Sequence, residues 1–382
     1  MRKIQFGKPL IGLEEKNAVQ EVLNGDILVH GPKAVEFENA VCAFTSGKKA
    51  VAVSSCTAAL HLSYFYLGIK SGDEVIVPAQ THVATAHAVE MCSGKPVFVD
   101  CETKTGNIDI SQIENHITSK TRALSVVHYL GMPVEMDRIM KIAKKHSLFV
   151  VEDCALALGA RFKGIHAGLY GDVGCFSFYP VKHITTAEGG ILLTQNEQIA
   201  AKVSRQKAFG LDRNVGERKV PGIYDVTMLG FNYRLNEIGA AIGIEQMKKL
   251  PGILAVRKEN YEKLTECLRE IDEIELLQST HSEFQSSYYC HSIILKEKHA
   301  AKREKIIENL NMMGVGTSVY YPAPVPLLSY YREKYGYKEI QFPTASRISN
   351  NSIALPVGAH LNADDMVYIG KCVKESIIKS EV

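Results

Sequence analysis

Between residues 50 and 250, short runs that are apolar almost throughout alternate with segments whose apolar residues recur at helical spacing. The runs are AVAVS (50–54), EVIVP (74–78), PVFVD (96–100), ALSVVHY (123–129) and LFVVED (148–153). GCFSFYP (174–180) and GGILLT (189–194) follow them. A strand wetted on one face alternates apolar with polar residues, whereas a strand without alternation must be covered on both faces. Seven such strands, separated by helices of about three turns, predict an α/β fold on a mostly parallel sheet.

The pattern changes near Leu250. A chain of 382 residues exceeds one typical core, so two domains are expected. Pro251-Gly252 marks a break, giving a large domain over 1–250, with an N-terminal helical segment, and a smaller α+β domain over 251–382. The second part opens with a long charged helix (249–271) and has strands in SSYYCHSIIL (286–295) and GVGTSVYY (314–321). AKREKIIENLNMM (301–313) and ADDMVYIGKCVKESI (363–377) are its other helices.

Composition removes several classes of partner. With 44 basic against 42 acidic residues, net charge is +2, so no field favours nucleic acid or an anionic membrane. No stretch approaches the roughly 20 apolar residues of a membrane span. The start, MRKIQFGKPLIG, lacks an apolar core, so no secretory signal is expected. Nine scattered cysteines without a CxxC pair read as reduced thiols in a cytoplasm, and no Cys/His cluster has metal-ligand spacing.

Open parallel sheets bind ligands beyond the carboxyl ends of their strands, and polar residues gather there. AVAVS runs into Ser55-Cys56-Thr57 at a helix start, where free amides suit a phosphate; a plain helix cap is the alternative. LFVVED ends in Glu152-Asp153, and a buried carboxylate needs a partner: a salt bridge, a cap or a protonated ring nitrogen. GCFSFYPVKHITTAEGG places Lys182 in a turn between two apolar strands. Desolvation at such a site lowers an ammonium's pKa and frees an amine for condensation with a carbonyl. His128, at a strand end, reads as a satisfied structural histidine.

The segments SSCTAALHL, PAQTHVATAHAV, PVFVD, VVEDCA, GDVGCFSFYPVKHITTAEGG and LGFNYRLNEIGAAIG, in this order, resemble the DegT/StrS class of sugar-nucleotide aminotransferases. The resemblance runs from PLIGLEEKNAVQEVL (9–23) to IALPVGAHL (353–361). It implies the fold type I architecture of aspartate aminotransferase, with a seven-stranded mixed sheet, and pyridoxal phosphate as cofactor. Lys182 matches the lysine joined to the cofactor aldehyde, and Asp153 the partner of the ring nitrogen. Cys56, Thr57 and Ser177 match phosphate ligands, and His82 falls where the family stacks an aromatic ring on the cofactor. Asn232 matches a residue reaching the neighbouring subunit's phosphate, which implies a homodimer with shared active sites. Gly31, Tyr320 and Tyr321 fall at positions facing the acceptor; a turn glycine and packed rings are their alternatives.

Two positions depart from the family pattern. Leu156 stands where a glutamine commonly bonds the cofactor's phenolic oxygen, and Cys56 where a glycine is usual. The implied reaction moves an amino group from glutamate, leaving 2-oxoglutarate, to a keto group on a nucleotide-linked deoxysugar for polysaccharide or glycoside synthesis. Alternatives are a small phosphorylated ketone or free sugar as acceptor, a keto-sugar dehydratase, and a non-catalytic cofactor-binding regulator. Dehydratases of this fold carry histidine at the lysine position, where this chain has Lys182.

Overall fold

The computed structural model describes residues 2–212, 223–277 and 282–381. Seven strands form the main sheet: β1 Lys49–Val53, β2 Glu74–Pro78, β3 Lys95–Val99, β4 Thr121–Val127, β5 Phe149–Asp153, β6 Val173–Ser177 and β7 Gly190–Thr194. Their spatial order is β1-β7-β6-β5-β4-β2-β3. β2 pairs in parallel with β3 and β4, β4 with β5, and β5 with β6. Only β7 is reversed, antiparallel to both β1 and β6. This is the mostly parallel α/β sheet expected of fold type I.

The strands lack alternation because helices cover both faces. Helix Cys56–Leu67 is apolar around most of its circumference and is buried from Ala58 through Tyr64. Helix Met136–His146 is amphipathic instead, burying Met136, Ile139 and Ala143 and wetting its lysines. The register then assembles one edge. Val53, Gly190 and Ser177 lie in one row across β1, β7 and β6, and Val127, Asp153 and Cys175 in another across β4, β5 and β6. Carboxyl ends of the parallel strands therefore meet the start of β7.

That meeting requires glycine. A Cβ on Gly190 would lie 2.4 Å from the Ser55 carbonyl carbon and 2.6 Å from the Cys56 nitrogen. The backbone of β7 thus packs directly under the turn that opens helix Cys56–Leu67.

A smaller antiparallel sheet contains β8 Ile274–Leu276, β9 His291–Leu295 and β10 Ser352–Leu355. Its inner residues Ile293, Leu295 and Ile353 pack with Ile306 and Leu310 of helix Arg303–Met312 and with Ile369 and Val373 of helix Ala363–Lys379. Three sequence expectations fail here, wholly or in part. The helix expected to begin at 249 runs from Glu237 to Leu268, straight through Pro251. A proline in a helix interior costs about 3 kcal/mol, and burial of Leu250 and Ile253 on either side offsets it. The segment 314–321 is not a strand: it makes single bridges, Val315 with Ile4 and Ser318 with Ala354, then turns inward at Tyr320 and Tyr321. Likewise only His291–Leu295 of the expected 286–295 strand is extended in a ladder.

Among the described residues no helix is long and apolar enough to cross a membrane. Replacing Gly190 by Ala should destabilise the protein by about 2 kcal/mol, since the added methyl meets backbone rather than a yielding side chain. Thermal unfolding of the variant measures this; an unchanged melting temperature would contradict the packing described.

Candidate active site

A cavity of about 360 Å³ opens at the assembled sheet edge. Cys56, Thr57, His82, Asp153, Ser177 and Lys182 all line it, and Tyr320 and Tyr321 close it from the later part of the chain. Eight of the ten residues singled out from sequence are thus brought together. Asn232 and Gly31 do not line it. Asn232 is exposed and makes a single bridge with Ala208. Gly31 precedes helix Pro32–Thr45, where Glu237 accepts the Lys33 and Ala34 amides at 2.7 and 3.3 Å. A Cβ on Gly31 would come within 2.4 Å of the Glu237 carboxylate, so glycine there has a packing reason of its own.

Ser55 caps helix Cys56–Leu67, its hydroxyl accepting the Ala58 amide at 3.1 Å. The first intrahelical bond runs from the Ala59 amide to the Ser55 carbonyl, so the amides of Cys56 and Thr57 have no helix acceptor, which leaves two donors and the positive end of the helix dipole facing the cavity. The Cys56 thiol is buried and bonds the Cys175 carbonyl at 3.5 Å. Burial, and then the charge of Asp153, push its pKa up, so it stays a thiol. Ser177 ends β6, and its hydroxyl accepts the Tyr179 amide at 3.4 Å.

Successive strand residues face opposite sides of the sheet, and β5 uses this to separate two carboxylates. Glu152, fully buried, accepts the Gly168, Tyr170 and Gly171 amides at 2.8, 2.9 and 2.6 Å. It also accepts a hydrogen bond from His128 Nε2 at 2.9 Å, while His128 Nδ1 accepts the Val134 amide at 3.1 Å. These partners fix one neutral tautomer of His128, the structural role expected of it. Asp153 points into the cavity, accepting the Thr85 hydroxyl at 2.8 Å and the Ala155 amide at 3.0 Å. Thr85 in turn bonds Thr81 at 2.7 Å.

Lys182 is partly buried, and that burial lowers its pKa; Cys56, Asp153 and Cys290 oppose the shift. His82 caps helix Val83–Met91, its Nδ1 accepting the Ala84 amide at 3.1 Å, and its ring stands edge-on to Tyr321 with centroids 5.7 Å apart. Tyr320 shares a hydroxyl hydrogen bond with Tyr289 at 2.8 Å, and its carbonyl accepts from Gln80 at 3.1 Å and from Tyr129. Leu156 forms apolar wall, offering no donor. Sequence reading missed Thr85, Gln80, Glu188 and Tyr289. Thr85 had a signal, lying one turn beyond Thr81 in the segment after β2; Tyr289 had none, being far from Lys182 in sequence.

The donor set fits pyridoxal phosphate. A carboxylate is available for its ring nitrogen, open amides and hydroxyls for its phosphate, and an amine with lowered pKa for its aldehyde.

Buried histidines behind the site set a pH dependence. His166 accepts the Gly159 amide and donates to the Ala167 carbonyl, while His183 donates to the Ser287 carbonyl. Burial pushes His166 down to about 4 and His183 well below its ordinary value. The unfolded chain takes up these protons near pH 6.5 and the folded chain refuses them, so stability falls as pH drops from about 6.5 toward 4. Urea midpoints across that window should fall, and His166→Gln, which removes the titrating ring, should flatten the slope; an equally steep variant would contradict this.

Comparison with known proteins identifies one family. The model of the DegT/DnrJ/EryC1/StrS aminotransferase family matches residues 9–374. The chain is 33% identical over 379 residues to the spore coat polysaccharide biosynthesis protein SpsC of Bacillus subtilis (strain 168), covering 98% of this chain and 97% of that one. PseC of Helicobacter pylori, an aminotransferase involved in the biosynthesis of pseudoaminic acid, superposes with a TM-score of 0.92 at 29% identity, covering 99% of this chain and 100% of that one. Spr1654 of Streptococcus pneumoniae, in its PLP form, superposes at 0.93 with 28% identity and covers 99% and 100% likewise.

Proposed function

This chain belongs to the DegT/DnrJ/EryC1/StrS aminotransferase family and is a pyridoxal-phosphate-dependent aminotransferase, and from that premise we propose that it carries an amino group from glutamate to a keto group on a nucleotide-linked deoxysugar. One observation carries the reading: the Lys182 amine and the Asp153 carboxylate face the same cavity beside an open helix start.

Each residue then has a task. Lys182 would hold the cofactor through its Nζ, and the same amine, when free, would take a proton from the substrate carbon and return it. Asp153, fixed by Thr85 and Ala155, keeps the ring nitrogen protonated. The Cys56 and Thr57 amides, with the Thr57 and Ser177 hydroxyls, would hold the phosphate, and His82 would serve the ring. When bound, the cofactor supplies the electron sink that stabilises the carbanion. Tyr320 and Tyr321 exclude water and meet the acceptor.

The same reading makes the protein a homodimer whose Asn232 reaches the partner's phosphate. Asn232 is exposed, and Leu229 and Phe209, whose amide bonds the carbonyl of the adjacent Phe231, expose 69 and 47% of their surface, apolar area that suits a partner. A cytoplasmic setting accords with nine cysteines that are all free thiols.

SpsC is named for polysaccharide synthesis and PseC for the synthesis of an amino sugar, which supports a sugar acceptor. Lys182→Ala should lower turnover by at least about 10³-fold, the order expected when a covalent acid-base group is removed. The substrate claim is tested by adding glutamate to the holoenzyme and following cofactor absorbance, then offering keto-sugar nucleotides beside small phosphorylated ketones and free keto-sugars. Bleaching by glutamate and recovery with a sugar nucleotide is the expected result; recovery with the small ketones alone would overturn the acceptor.

A further inference from the structure

Lys182 lies over an aromatic face that none of these tasks uses. Its Nζ is 5.5 Å from the centroid of the Tyr289 ring, within the range where an ammonium is attracted to a ring face. Tyr289 is buried and its position is fixed from several directions. Its carbonyl accepts from Arg257 Nη1 at 2.9 Å, and its hydroxyl meets that of Tyr320 at 2.8 Å. Its ring packs against His183 at 5.7 Å and stands edge-on to Tyr320 at 5.6 Å. Arg257 belongs to the helix Glu237–Leu268 and is itself buried, so the ring is anchored to the element that joins the two sheets.

We propose that Tyr289 is a positioning residue for Lys182, its ring face holding the ammonium whenever the amine is not covalently engaged. A released lysine has four rotatable bonds and loses its aim if it swings into solvent. A ring face holds Nζ near the substrate carbon more loosely than an ion pair would. The inference rests on the reading of Lys182 given above.

Other groups act on the same amine. Cys56 faces it from helix Cys56–Leu67, Asp153 from β5 and Cys290 from the segment before β9; His183, Arg257 and Tyr320 face the ring. The ring, like Asp153, favours the charged amine, so its removal must lower the lysine's pKa.

The test uses the full chain freed of cofactor, with the Lys182 pKa read by acetic anhydride labelling across pH and mass spectrometry. Tyr289→Leu should lower that pKa by about one unit, and Tyr289→Phe should leave it unchanged. Should the leucine variant not fold, pentafluorophenylalanine at 289 keeps the ring's shape, inverts its face potential and should give the same fall. An unchanged pKa without the aromatic face, or an equal fall in Tyr289→Phe, overturns the proposal. Failure of the underlying reading looks different: the pKa would depend on the ring, yet wild-type protein would leave the absorbance of added pyridoxal phosphate unaltered.

Discussion

Glu152 and Asp153 stand side by side at the end of a strand covered on both faces, and an unpaired buried carboxylate costs several kcal/mol. The pleat forces the two onto opposite faces, so each must be satisfied separately. Glu152 is satisfied within the protein, by three loop amides and His128. Asp153 is only partly satisfied, by one hydroxyl and one amide. That asymmetry ties the loop 168–171 and the end of β4 to β5, and it leaves one carboxylate of the pair facing the cavity. Removing Glu152's acceptors would leave several buried donors unpaired, which is why the supporting residue is as constrained as the one in the cavity.

The rest of the site follows from the same edge. β7 runs backwards through an otherwise parallel sheet and brings its first residue, Gly190, beneath the turn that opens helix Cys56–Leu67. The turn holding Lys182 precedes that strand, so the amine, the open helix start and Asp153 converge within one cavity. Burial then lowers the lysine's pKa against the pull of Asp153, the condition for an amine that must be nucleophilic near neutral pH. The family's chemistry needs this combination of groups, and the fold supplies it by register rather than by proximity in sequence.

Much of this was legible in the chain. Unbroken apolar runs such as EVIVP and LFVVED identify a sheet covered on both faces, because a half-wet strand would alternate. Cys56, Asp153, Ser177 and Lys182 were legible because each lies at or just beyond a strand end, where the apolar run stops and polar residues begin. Pro251 misled, because local propensity marks a break while the packing of Leu250 and Ile253 keeps the helix whole. Segment 314–321 misled as well: its β-branched and aromatic residues suit a strand, but Tyr320 and Tyr321 are drawn into the cavity instead. Tyr289 and the Glu152 network were invisible, since both depend on contacts between residues far apart in the chain. The departures at Cys56 and Leu156 are plain in the sequence, and the structure gives each a packed, apolar place.

The central claim is that Lys182 carries the cofactor. Reduction of the holoenzyme with borohydride, followed by digestion and mass spectrometry, tests it directly. A pyridoxyl mark on the peptide containing Lys182, and on no other, is the predicted result. A mark on a different lysine, or none on a protein that retains its cofactor, would contradict the account.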